Sequence, residues 1–115
     1  MTQLATTHVF ISVAKIGDVA PGSVIKVYAN GLTFALYNLE GTFFATEEIC
    51  THAQASLAEG FVIDDTIECP LHGASFSIKT GEVLSAPATE PLKTFPVHVE
   101  NGEVLIGIPQ TPNDA

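Results

Sequence analysis

The sequence predicts an all-β domain, a sandwich or partly open barrel of about eight to ten short antiparallel strands. Two observations point there. Short runs rich in β-branched and aromatic residues recur along the chain, and Asn-Gly and similar pairs punctuate them. A third excludes the alternatives: no stretch holds a helical period for long, and no strand–helix–strand rhythm is present.

The elements follow in order. HVFISVAK alternates apolar and polar positions from Val9 to Val13 and reads as the first strand. GDVAPGS is a loop. SVIKVYANGLTFALYNLEGTFFATEE reads as three strands with turns at Asn30-Gly31 and Glu40-Gly41. Asn-Gly between such runs signals a tight hairpin, because both residues tolerate the positive φ of a type I′ turn. THAQASLAEG supports one short helical turn within a loop. FVIDDTIE is a hairpin around Asp64-Asp65, and CPLHGASFSIKTGEVL opens a second loop that returns to strand at about Phe76. TFPVHVENGEVLIGI is a last hairpin around Asn101-Gly102, with Pro96 marking an edge or irregular position. The tail PQTPNDA is expected to fray. No internal repeat or linker is visible, so residues 1–115 read as one domain.

Composition bounds the function. Of 115 residues, 46% are apolar, which suits a globular domain. No apolar run approaches the ~20 residues that span a bilayer, and MTQLATTHVFISVAK lacks the pattern of a signal peptide. The expectation is a soluble, cytoplasmic monomer. Thirteen carboxylates face four lysines and no arginine, for a net charge of -9. That balance disfavours nucleic acid and anionic membranes and favours a partner with a basic docking face.

The chemistry is concentrated between Cys50 and His72. Both cysteines lie there, each with a histidine close behind: Cys50 with His52, and Cys69 with His72. Ligation is favoured over a disulfide, given those histidines and the lack of an export signal. Two thiolates and two imidazoles suit tetrahedral zinc or an iron–sulfur cluster. Structural zinc sites usually pair like with like, whereas each segment here offers one sulfur and one nitrogen. Mixed pairs on two loops allow each loop to give one ligand to each iron of a [2Fe-2S] rhomb. Pro70 restricts the backbone beside Cys69, and Gly73 removes bulk directly after His72.

C-T-H, sixteen intervening residues and then C-P-L-H-G resemble the Rieske signature. The surrounding chain, from FISVAKIGDVAPGS through VENGEVLI, is similar to the small Rieske-type ferredoxins of bacterial aromatic-ring-hydroxylating dioxygenase systems. The resemblance implies the Rieske fold, an antiparallel base carrying a cluster-binding subdomain at about residues 46–86. Cys50 and Cys69 would hold the buried iron of one Rieske-type cluster, and His52 and His72 the outer iron. SAPATEP, with Pro87, would fold over it as a covering loop. The implied function is one-electron carriage from an NAD(P)H-dependent flavoprotein ferredoxin reductase to a terminal oxygenase, without substrate chemistry of its own. Two other readings remain: a small subunit held within a reductase such as nitrite reductase, and a structural zinc domain.

The high-potential branch of that family has extra cysteines that brace the loops. Ala53-Gln54-Ala55 and Leu71 stand at those places here. Ala74 and Phe76 replace the serine and tyrosine hydroxyls that donate to the cluster in that branch. Fewer donors leave the reduced form less stabilised, so a potential near the low end, about −150 mV, is expected. Outside the constellation, His8 and His98 read as exposed bystanders. Phe34, Phe43, Phe44, Phe61, Phe76 and Phe95 read mostly as core, Gln54 and Leu71 as exposed rim, and Glu59, Asp64 and Asp65 as an acidic face that could steer a basic partner.

Overall fold

Hairpins build the molecule, as the turn signals require. The computed structural model describes residues 7–51, 54–71, 73–86 and 88–110. Among these, eleven strands form: β1 Thr7–Lys15, β2 Ser23–Ala29, β3 Leu32–Leu39, β4 Thr42–Glu47, β5 Phe61–Ile63, β6 Thr66–Glu68, β7 Ser75–Ser77, β8 Val83–Ser85, β9 Thr94–Phe95, β10 Val97–Glu100 and β11 Glu103–Gln110. Asn30-Gly31 and Asn101-Gly102 have φ of 56° and 80°, and 54° and 80°, the doubly positive geometry of type I′. Three antiparallel sheets result, ordered β1-β11-β10, β2-β3-β4-β9 and β5-β6-β7-β8.

The count exceeds the expected range because TFPVHVE is not one strand. Pro96 lacks an N–H and separates β9, which pairs with β4, from β10, which pairs with β11. The chain changes sheets there, and the Gly107 N–H holds the crossing by donating to Pro96 O at 2.8 Å. The expected helical turn is present as a single 3-10 turn, Leu57–Glu59, and a second occupies Ile16–Asp18 in the first loop. No helix among the described residues is long and apolar enough to cross a membrane.

Strand β3 divides two cores. Phe34 and Leu36 face β1, β2, β4 and β11, packing with Val27, Ala45, Val104 and Ile106. Ala35 and Tyr37 face the opposite way, toward Ile67, Phe76, Leu57 and both cysteines. The middle sheet is therefore covered on both faces, which is why FALYN shows a continuous buried run instead of alternation. Phe61, read as core from its run, is instead 58% exposed. It shares a face with Ile63 on β5, an edge strand, while only Val62 between them packs inward. His8 is exposed, and His98 is exposed beside Glu100, as expected.

Tyr37 gives the second core a polar tie. Its hydroxyl lies 2.9 Å from Thr46 Oγ1, whose own proton goes to Glu47 O at 2.8 Å, so Tyr37 is the donor. Burial pushes the phenol well above its ordinary value of 10.0, with the Thr46 bond opposing. Above that value an unfolded chain releases a proton that the folded chain keeps, so stability falls as pH rises past it. Tyr37→Phe is expected to flatten this alkaline loss while costing about 1 kcal/mol at neutral pH. Denaturant titrations of both proteins at about pH 8 and about pH 10.5 check it.

Candidate metal centre

The two cysteine loops are built alike. In the first, the Cys50 N–H donates to Ala55 O at 2.9 Å above an Ile49–Ser56 bridge. In the second, the Cys69 N–H donates to Ala74 O at 2.7 Å above the Glu68–Ser75 pair of β6 and β7. Each loop is thus a hairpin tip closed from its cysteine to the fifth residue on. After each closing alanine comes a serine and then a fully buried apolar side chain, Leu57 or Phe76. The two loops thus share a short internal repeat that the sequence does not make evident: Cys, four residues, Ala, Ser, apolar. It is masked in the sequence because the histidine spacings differ between the loops, whereas the backbone closure does not.

The loops bring the thiols together. Cys50 is 4% and Cys69 1% exposed, within one core that also holds Ala55, Ala74, Ile67 and Ala88. They are not joined by a disulfide, and the Cys50 thiol lies within hydrogen-bonding reach of Cys69. Burial pushes the Cys69 thiol up. The Leu71 N–H, donated to its sulfur, pulls the other way, and Cys50 adds to the rise. Two adjacent buried thiolates repel unless a cation sits between them, and a metal core supplies that charge. The donor set therefore fits a thiolate-bound metal. His52, His72, Ala53 and Pro87 lie outside the described residues.

Close backbone approach fixes the two loop stems. A side chain at Gly60, where the first loop leaves its 3-10 turn, would run into Glu68 O at the foot of the second. Gly73 takes a φ of +74°, which turns the chain after residue 72. Ser85 supports the same loop from β8: its Oγ lies 2.7 Å from Ser75 Oγ and accepts from the Ser75 N–H at 3.1 Å.

A third segment closes over this end. Ala88 is buried in the core of the cysteines, and Thr51 Oγ1, beside Cys50, donates to Glu90 O at 2.8 Å. The Leu92 N–H donates to Gly81 O, and Glu47 and Lys93 exchange two bonds, from Glu47 N to Lys93 O and from Lys93 N to the Glu47 carboxylate. Leu71 is 47% exposed and Gln54 is exposed, as expected of a rim.

Several residues that build the site carry no functional signal in the sequence. Gly60, Gly81 and Thr51 look like ordinary turn residues until their long-range partners are known. Glu48 is the least expected. It precedes Cys50 by two residues, carries a charge and yet is only 4% exposed. Lys26 Nζ lies 3.6 Å from its carboxylate, and the hydroxyls of Ser56 and Thr33 lie near enough to favour its charge. Burial alone would raise its pKa, but the two hydroxyls and the ammonium outweigh that and hold it below the ordinary value.

Known proteins carry the same frame. The family model described as the Rieske [2Fe-2S] domain matches residues 9–96. A 3-phenylpropionate/cinnamic acid dioxygenase ferredoxin subunit of Shigella flexneri serotype 5b (strain 8401) is 46% identical over 96 residues, covering 83% of this chain and 90% of that protein. The solved Sphingomonas yanoikuyae B1 ferredoxin is 37% identical, with a TM-score of 0.83 over 88% of this chain and 100% of its own. A chain in the complex of reduced oxygenase and oxidized ferredoxin in carbazole 1,9a-dioxygenase is 42% identical, with a TM-score of 0.80 over 84% and 91%. Sequence, fold and paired cysteine loops agree, and the chain belongs to the Rieske [2Fe-2S] domain family.

Proposed function

We propose that this protein is a one-electron carrier with one Rieske-type [2Fe-2S] cluster, serving an aromatic-ring-hydroxylating oxygenase. The observation that carries this reading is the pair of matched hairpin tips holding two buried, adjacent thiols, in a chain so similar to a dioxygenase ferredoxin subunit. Cys50 and Cys69 would hold one iron, and His52 and His72 the other. The cluster supplies reversible one-electron chemistry when bound, at a potential raised by two neutral imidazoles in place of thiolates. The chain's own residues do the rest. The cores of Phe76, Leu57, Ile67 and Ala88 exclude water from the sulfurs, and the Leu71 N–H steadies negative charge on Cys69.

The cluster-binding unit is taken as residues 46–86, with the Ala88–Lys93 segment closing it. The electron donor would be an NAD(P)H-dependent flavoprotein reductase and the acceptor the Rieske centre of a terminal oxygenase. The carrier would act as a cytoplasmic monomer, meeting each partner transiently. Its charge of -9 favours basic docking faces, and the exposed Leu71, directly before His72, offers an apolar contact there.

The purified protein is expected to be brown and, after dithionite, to give a rhombic EPR signal with average g well below that of all-cysteine clusters. Mixed without oxygen, the reduced protein should regain its oxidised visible absorbance as an oxidised Rieske oxygenase loses its own, one electron passing per carrier. A colourless, redox-silent protein filled with zinc, unchanged by iron–sulfide reconstitution, would overturn the reading.

A further inference from the structure

We infer that Glu48 is a positioning residue, a buried clamp that sets the geometry of the first cysteine loop against the middle sheet; this rests on the reading that Cys50 binds the cluster. The Glu48 carboxylate lies 3.6 Å from Lys26 Nζ on β2, and the hydroxyls of Thr33 on β3 and Ser56 on the returning leg of the loop lie near enough to favour its charge. Its backbone is fixed as well, because the Leu57 N–H donates to Glu48 O at 2.8 Å. Ser56 Oγ, on the side of the carboxylate, accepts the Ala58 N–H at 3.2 Å and so ties the 3-10 turn to the returning leg. Both legs of the loop are thereby fastened to the base of the fold.

The second loop shows that a charge is not needed merely to fill this place. The structurally matching position, two residues before Cys69, is Ile67, which is fully buried and purely apolar. Lys26 is 41% exposed, so the pair is only half-buried, and even a fully buried ion pair is on average no more stabilising than well-packed apolar side chains of similar volume. What directional bonds add over apolar contact is a fixed orientation. The first loop has only an isolated bridge at its foot, whereas the second continues into the β6–β7 ladder, so the first loop is the one whose orientation needs fixing.

The test compares Glu48→Gln, Glu48→Met and the double variant Glu48→Met with Lys26→Met, each as the cluster-loaded protein. Three quantities are read: stability to denaturant, the rate of cluster loss to a chelator under native conditions, and the EPR line shape of the reduced form. The double variant removes the ion pair as a unit and is expected to keep near wild-type stability, yet to lose its cluster at least fivefold faster, with shifted or broadened g-values. Glu48→Gln, which keeps an acceptor for one hydroxyl, should fall between. Wild-type spectra and cluster retention in a stable double variant would overturn the inference, as would cluster loss that tracks global stability across all three variants. If the double variant does not fold, Glu48→Gln decides by the same two criteria. A wild-type protein that holds no cluster defeats the functional reading instead, which separates the two failures.

Discussion

Replacing both His52 and His72 by cysteine is expected to lower the reduction potential by about 250 mV, from the low end of the Rieske range to that of all-cysteine ferredoxins. The cause is charge. On the proposed ligation, each exchange would put a thiolate in place of a neutral imidazole, so the reduced state would have to hold two further negative charges. The surroundings do little to soften this, since Phe76 and Ala74, both fully buried, contribute no side-chain hydroxyl. His72→Cys alone should give an intermediate potential. EPR-monitored redox titration reads both shifts, and the average g should rise toward the all-cysteine value. An unchanged potential in a loaded variant would show that the histidines are not ligands.

Gly81→Ala is expected to destabilise the protein by about 2–5 kcal/mol, from left-handed backbone strain and a steric overlap acting together. Gly81 has a φ of +81°, and a Cβ there would run into Leu92 O. The overlap falls where the Leu92 N–H meets Gly81 O, so the displaced element is the Ala88–Lys93 segment that closes over the cysteines. Chemical denaturation measures the loss. Faster bleaching of the cluster at unchanged temperature would accompany it, because the same segment carries Ala88 and the acceptor for Thr51. An alanine variant of wild-type stability would mean that the segment relaxes freely.

Much of this was legible in the sequence for local reasons. The Asn-Gly turns specify hairpins through backbone conformation alone, and the two cysteines, which the fold brings into one core, stand out by residue type. The rest depends on which residues meet across the fold. Phe61 and Phe76 stand in similar runs, but one lies on the outer face of an edge strand and the other points into the cysteine core. Pro96 signals an edge or irregular position, and only the strand partners reveal a change of sheet. Glu47 and Glu48 are neighbours of the same chemistry. Opposite faces of one chain send Glu47 to Lys93 and Glu48 to Lys26, a distinction no composition or period contains.

The double-sided burial of β3 bears on how the protein comes apart. Phe34 and Leu36 anchor one core, Ala35 and Tyr37 the other, so neighbouring residues of a single strand serve both. Neither half can melt while leaving the other its wall. Amide protons along Phe34–Tyr37 should therefore be among the slowest to exchange with deuterated water, released only by global unfolding. Damage to the base, far from the cysteines, would then reach the metal centre as a shortened lifetime in the cell, with no change in its spectrum while it lasts.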